Sequence, residues 1–504
     1  MTCLMRSNPA WALVAVLFVA SVAVPLIAAI QGSPPFRDIH LGTALHYVAH
    51  GFGLEKTMII GFNANGTPTI QEFPLWQMLA GAAMKVMGPW WGWANAVSIL
   101  LFASVLYPLH RLSQRWSEPT RAPWVLVFFL SQPLVFRYFG LASTDGVSIA
   151  SAIWFCHFGS RLLDRPQSAS AWIGALGCGI LSALLKLPFF MAAGAGLFLV
   201  CITGHPLLSR QTMSLGIVGA ATALCFAWWT RYTAALQEGA LFPLVDLRLS
   251  NPEMVAWYFG DWGYRLNPAN WAKGGWRILN TLFGSFVLCG VAALGLFKQG
   301  IPRFALCMLG GGLLTILVFT HLVLHHSHYY LMFTMPVAFL LANGAGWLQD
   351  RLAGGQPGRF AAFCAPLIGL SILQGLIGMK TVVSTDPYPR QMASIIAGHT
   401  APGDKLVIRG GGWGGELLFR SSRDGLSVWN TRLLEDPDHL AELKRRGFNK
   451  LVMVSESPLL DAVQRVNPGN TGRKRELYHG HRTAVVESWP VVFQNEDLVI
   501  QDIP

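Results

Sequence analysis

Long apolar runs recur along the first three-quarters of this 504-residue chain, and they constrain its fold more than any other feature. A helix needs roughly 20 apolar residues to cross a hydrocarbon core about 30 Å thick. Eleven stretches are read as candidates: 9–30, 90–109, 123–140, 146–160, 170–185, 188–203, 213–230, 276–296, 304–323, 329–346 and 360–379. Several are short. Inside lipid every backbone N–H and C=O must be paired within the protein, so such runs are helices. The expected fold class is an α-helical polytopic membrane protein of about 11 transmembrane helices, followed by a soluble α/β domain. The first run is longer than the apolar part of a signal peptide and many spans follow it, so an uncleaved anchor is expected.

Charge orients the spans. Only 12% of residues are charged, against about 25% in soluble domains. Residues 1–379 hold 21 Lys+Arg and 11 Asp+Glu, and residues 380–504 hold 16 and 15. The basic excess therefore belongs to the hydrophobic part. It speaks for loop charges that orient a membrane protein, not for a nucleic-acid partner, which would need a basic soluble face. With the N-terminus in the cytoplasm, eleven basic residues fall in inner loops: Arg6, Arg111, Arg115, Arg121, Arg161, Arg165, Arg210, Lys298, Arg303, Arg351 and Arg359. The short outer loops hold Lys186, with Arg137 near a span end. Eleven spans then put the C-terminal domain outside. Pro74–Gly88 is apolar but too short to span and is read as a helix in the outer interface. The domain reading is 1–379 for the membrane part, with long outer loops 31–89 and 231–275, and 380–504 for the outer α/β domain.

In that domain Lys405–Arg409 and Lys450–Val454 read as strands. Pro437–Arg446 reads as a helix with Gly447 as its C-cap. The glycine-rich stretch 410–415 lacks the Lys-Ser/Thr of a nucleotide P-loop and reads as a turn. All eight cysteines precede residue 379 and none forms a CxxC pair, so neither a redox motif nor a zinc site is indicated.

Ionisable groups near a membrane need a reason. Asp38 follows two prolines that turn the chain along the interface, between Arg37 and His40. It reads equally as a general base towards a hydroxyl or as a solvated cap. Glu72 opens the short interfacial helix, where it can simply complement the helix dipole. Asp145 opens the fourth span, a capping position. Lys186 lies between two spans and Arg265 near the end of the second long loop. His325, His326 and His328 precede Tyr329 and Tyr330. Cations and donors of this kind suit a lipid-linked phosphate. The three histidines also admit a metal, without a carboxylate nearby in sequence.

Taken together the chain resembles the polytopic glycosyltransferases of the GT-C fold. It is most similar to the bacterial branch related to protein O-mannosyltransferases and lipid A aminoarabinose transferases. The resemblance rests on Phe36-Arg37-Asp38 after the first span, Glu72-Phe73-Pro74-Leu75-Trp76-Gln77, Asp145, and His328-Tyr329-Tyr330 with Pro336, over roughly residues 9–346. It implies sugar transfer from a polyprenyl-phosphate donor to a glycan, lipid or polysaccharide acceptor on the periplasmic face. It implies Asp38 as the catalytic acid residue, and Glu72 and Asp145 as residues shaping the donor or acceptor cavity. Lys186, Arg265 and His328-Tyr329 are candidates for the donor phosphate. No cofactor is required, and a divalent metal is compatible. Two departures are plain. Asp38 is followed by Ile39 where the mannosyltransferases have an Asp-Glu pair, and Glu72 stands where the aminoarabinose transferases have a Lys. A competing reading is a transporter or flippase of a lipid-linked sugar. That reading expects midplane charges and repeated halves, and neither is seen. A third is a noncatalytic envelope protein.

Overall fold

Apolar helices of membrane length dominate the structure, a computed structural model. It describes residues 9–30, 38–54, 61–62, 72–88, 90–237, 252–297, 303–352, 357–383, 388–409, 416–428, 437–454, 489–495 and 498–504. Among these, five helices are long and apolar enough to cross a membrane unaided: Pro9–Ile30, Gly92–Trp116, Ala169–Ile202, Arg210–Leu236 and Ser327–Arg351. A bent pair, Pro268–Phe283 with Phe286–Leu296, makes a sixth if it is one span. Eleven such helices are not found among the described residues, and several candidate runs are broken. The run 123–140 becomes Ala122–Ser131 and Pro133–Tyr138, parted at Gln132, whose ψ of 132° is the extended conformation favoured before proline. The run 304–323 becomes Arg303–Val318 and Thr320–His325. The run 276–296 bends by 91° where Gly284 takes φ 69°, a left-handed conformation that suits glycine.

Ala169–Ile202 is not a single rod. A straight helix would put positions 174 and 197 about 35 Å apart at 1.5 Å per residue. Yet Gly174 abuts Phe158 and Leu197 abuts Gly159, neighbours on the helix Thr144–Asp164. Nearer the break, Gly179 and Phe190 both meet Phe155. The two arms therefore run antiparallel and the chain reverses at Lys186, whose φ of −157° and ψ of 101° leave the helix. The two spans expected at 170–185 and 188–203 correspond to these arms.

The chain divides into two compact units, one comprising 1–35, 91–230 and 249–384, the other 36–90, 231–248 and 385–504. In the first, Phe102, Phe128, Phe129, Phe136, Phe139 and Phe189 are fully buried. Small residues bring helices close, as at membrane helix interfaces generally. Gly344 lies against the Val291 carbonyl and Gly311 against that of Ala192. The helix Thr144–Asp164 spans about 30 Å. Its far end is pinned by an ion pair from Arg115 to Asp164.

The second unit joins the segment 36–90 to the C-terminal domain. Its six-stranded sheet has the order β1-β3-β2-β4-β6-β5. The strands are β1 Gly61–Phe62, β2 Lys405–Arg409, β3 Asp424–Val428, β4 Phe448–Val454, β5 Val491–Gln494 and β6 Leu498–Asp502. β3, β2 and β4 are parallel, and β1, β6 and β5 add antiparallel. The three middle residues of β2 are all buried, as a central parallel strand covered on both faces requires. The helix Pro437–Arg445 ends at Gly447 with φ 81°, the left-handed cap expected there. The short helix Leu75–Met87 has 13 residues, about 20 Å, too short to cross. It packs on the helix Asp38–His50, with Gly81 against Ala44 and Tyr47. The glycine-rich stretch 410–415 and Arg37 lie outside the described residues.

Candidate active site

The reversal at Lys186 puts a cation at the tip of a helical hairpin, inside the first unit. Ser143-Thr144-Asp145 opens the helix beside it, and all three residues are fully buried. Lys186 Nζ meets Asp145 Oδ1 at 2.7 Å, with side-chain exposures of 5% and 0%. An ionised pair taken this far from water holds only if each charge has its partner. Asp145 also sits in the first turn of its helix, where the dipole favours a negative charge. Pro188 fits the first turn of the outgoing arm, since its missing N–H has no partner to lose there.

The segment Ser327–Phe333 is a 3-10 helix that brings the His-Tyr-Tyr run to the same place. His328 Nε2 stands 3.9 Å from Asp145 Oδ1. The Lys186 ammonium lies 5.4 Å from the Tyr329 ring centroid, in cation–π range. Tyr329 in turn packs on His328 at 4.3 Å and Phe189 at 5.9 Å. Asp145, Lys186, His328 and Tyr329 thus form one buried polar cluster built from three separate elements. Tyr330 points elsewhere: its hydroxyl is buried without a hydrogen bond, near Gly274.

A ladder of rings leads from this cluster towards the surface. His326 is 5.2 Å from His328, and His325, which is exposed, is 4.8 Å from His326. Trp257 packs against His321, His325 and His326 at 4.7, 5.0 and 5.7 Å. The Trp257 carbonyl bonds His321 Nδ1 at 2.7 Å. Tyr264 closes the group 4.5 Å from His321, and burial pushes its phenol up from the ordinary value against the opposing pull of Arg277. Among the described residues no three imidazole, carboxylate or thiol groups converge as a metal site.

Arg265 turns its donors to backbone carbonyls. Its Nε donates to the carbonyls of Phe259 and Gly260 at 3.0 and 3.2 Å. Its Nη atoms donate to those of Leu317 and Val318 at 3.2 and 3.1 Å. It ties the helix Pro252–Phe259 to the end of Arg303–Val318.

Asp38, His40 and Glu72 belong to the second unit. Asp38 is the first residue of the helix Asp38–His50. Two residues on, His40 is buried, with Nδ1 3.2 Å from Gln77 Nε2 and its ring 6.3 Å from Trp76. Glu72 precedes the helix Leu75–Met87 by three residues and is half-buried. Gln77, buried beside His40, closes the motif Glu72–Gln77 but was given no role of its own from the sequence. Its signal was its place one residue after Trp76 in the short apolar helix, where a buried amide needs a partner.

No family model matches the sequence, and no curated protein matches it. Among solved structures the chain is similar to ArnT from Cupriavidus metallidurans in the apo state, with 14% identity over 97% of this chain and 98% of that one, at a TM-score of 0.58. It is also similar to the same protein bound to undecaprenyl phosphate, with 14% identity, the same coverage and a TM-score of 0.60. Likeness at this identity is a statement about fold, and over nearly its whole length this chain shares the fold of ArnT.

Proposed function

We propose that the protein is a membrane glycosyltransferase that moves a sugar from a polyprenyl-phosphate donor to an acceptor hydroxyl on the periplasmic face of a bacterial inner membrane. The observation that carries the reading is the buried Asp145–Lys186–His328 cluster within a fold whose relative ArnT is solved with undecaprenyl phosphate bound. A donor already activated as a phosphate ester needs no nucleotide. Asp38 takes the proton of the acceptor hydroxyl as its oxygen bonds to the anomeric carbon. The bond from that carbon to the phosphate oxygen breaks in the same step, and polyprenyl phosphate leaves. A single displacement inverts the anomeric centre, by the logic of inverting glycosidases. Lys186, oriented by Asp145, and His328 supply positive charge and hydrogen bonds for the phosphate as its charge grows. Arg265 donates to the carbonyls of Leu317 and Val318, and no step of the reaction is drawn through it.

The test is transfer of radiolabelled sugar from polyprenyl phosphate in purified membranes. A general base contributes about 10²–10⁴-fold, so Asp38→Asn is expected to lose at least about 100-fold. A well-folded Asp38→Asn protein with wild-type turnover removes the base assignment. Absence of transfer by the wild-type protein from every polyprenyl-phosphate donor offered removes the reaction class.

A further inference from the structure

The end of the first unit opposite Asp145 carries an arrangement that sugar transfer does not use. Two helices run to it side by side. Along Gly92–Trp116, Leu100, Ser104, Tyr107 and Arg111 follow at steps of four, three and four, so they form one stripe. Along Thr144–Asp164, Trp154, Phe158 and Arg161 follow at steps of four and three, again one stripe. The stripes meet. Trp154 Nε1 donates to Ser104 Oγ at 3.1 Å, and the Tyr107 and Trp154 rings stack at 5.7 Å. Phe158 stacks on Trp154 at 5.6 Å, with the Arg161 guanidinium 6.0 Å from its centroid. Leu100 is 71% exposed and Tyr107 58%. Both lie on a helix of membrane length, so they face lipid.

Composition therefore changes with depth, from aliphatic through aromatic to cationic. Arg115, one turn further, is neutralised by Asp164. Arg111 donates to Gln114 at 3.3 Å and Arg161 to Ser170 at 3.4 Å, and neither has a carboxylate partner among the described residues. Both are exposed, and both lie within electrostatic reach of His157.

We propose that this groove binds an anionic phospholipid, with the headgroup phosphate between Arg111 and Arg161 and an acyl chain along Tyr107 and Leu100. Basic pockets between membrane helices take anionic headgroups in this way, and arginine suits phosphate because its planar fork donates to two oxygens at once. The order of residues along the groove matches the order of parts in the lipid. A soluble anion would use the arginines and leave the aromatic stripe without a role. The site is independent of the glycosyltransferase reading.

The test uses the full-length protein in neutral detergent and a tail-labelled phosphatidylglycerol followed by fluorescence anisotropy. Each basic side chain near a membrane surface contributes about 1 kcal/mol, so Arg111→Ala/Arg161→Ala is expected to bind roughly 25-fold more weakly. Arg351→Ala, another exposed arginine outside the groove, should bind as wild type does. Phosphatidylcholine carries the same phosphodiester beside its own cation and should not compete. If the double variant does not purify, the wild type decides: raising salt from about 50 mM to about 300 mM should weaken binding, as screening of exposed charges requires. Wild-type affinity in the double variant, equal competition by phosphatidylcholine, salt-insensitive binding, or displacement by inorganic phosphate would each overturn the proposal.

Discussion

Replacing Lys186 with methionine isolates the central claim about the site. The change keeps most of the side-chain volume and removes the charge. Asp145 is then left fully buried with its nearest cation gone. At 2.7 Å and an effective dielectric near 20 the direct attraction is about 6 kcal/mol, offset in the native protein by desolvation of both ions. Removing one partner of a buried pair costs about 3–5 kcal/mol, because the other charge stays buried. His328, at 3.9 Å, is too distant for a normal hydrogen bond and offsets only part of this. Lys186→Met is therefore expected to lose about 3–5 kcal/mol of stability, and Asp145→Asn/Lys186→Met to recover at least about 2 kcal/mol of that loss. Reversible unfolding in mixed detergent micelles, followed by circular dichroism, measures both without reference to activity. A loss below about 1 kcal/mol in the single variant, or no recovery in the double, would refute the view that the pair is buried and mutually dependent.

Three further outcomes are expected. Arg265→Ala should lower the unfolding midpoint, because it strips four carbonyls of a charged donor worth about 1.5–3 kcal/mol per bond. A raised KM for donor with an unchanged midpoint would instead make Arg265 a substrate contact. Gly344→Val should destabilise by about 1–3 kcal/mol or more through overpacking against the Val291 carbonyl, whereas Gly216→Ala, with open space around it, should be tolerated in thermal unfolding. Hydrogen bonds from Arg445 and Arg446 hold the Glu442 carboxyl down at about 2 in the folded chain, against an ordinary value of 4.5. Its contribution to stability is then present above about pH 4.5 and is lost as pH falls towards about 2, so Glu442→Gln should flatten that limb of a stability–pH curve.

The membrane class, the α/β character of the C-terminal domain and two of the six strands in its sheet were legible because each depends on local periodicity. Lys405–Arg409 is a short apolar run between turn signals, and it is a strand. The hairpin at Lys186 was legible as two short spans with a charged residue and a proline between them. Helix breaks were less so. Nothing in Leu-Asn-Thr-Leu-Phe-Gly announces a 91° bend at Gly284 rather than a tolerated helix glycine. Pairing across the chain was hidden for a different reason. Asp145 and Lys186 are each weak signals as a cap and a snorkelling lysine. Only the fold brings them to 2.7 Å.

The same limit hides the carbonyls that Arg265 serves. A broken helix at membrane depth exposes its last carbonyls, and in lipid these must find donors from elsewhere in the protein. Here the donors come from remote side chains. Arg303 Nη2 reaches Val200 O at 2.7 Å where the hairpin's second arm ends. Arg265 serves Leu317 and Val318, and Arg277 serves Leu324 and His325 at 2.7 Å each. Ser371 does the same for Ser131 at 2.7 Å, where the run 123–140 breaks before Pro133. Three of these four donors are arginines, whose fork can serve two carbonyls and whose charge suits a helix C-terminus. An arginine near a span end in such a chain therefore has two competing uses, anion binding and carbonyl capping. Sequence alone does not separate them, because the carbonyls lie tens to hundreds of residues away. The capped breaks at Val318 and His325 flank Thr320–His325, and Ser327–Phe333 follows directly with His328 and Tyr329. Arg265 and Arg277 thus act on the candidate site by fixing the backbone that carries His328 to Asp145.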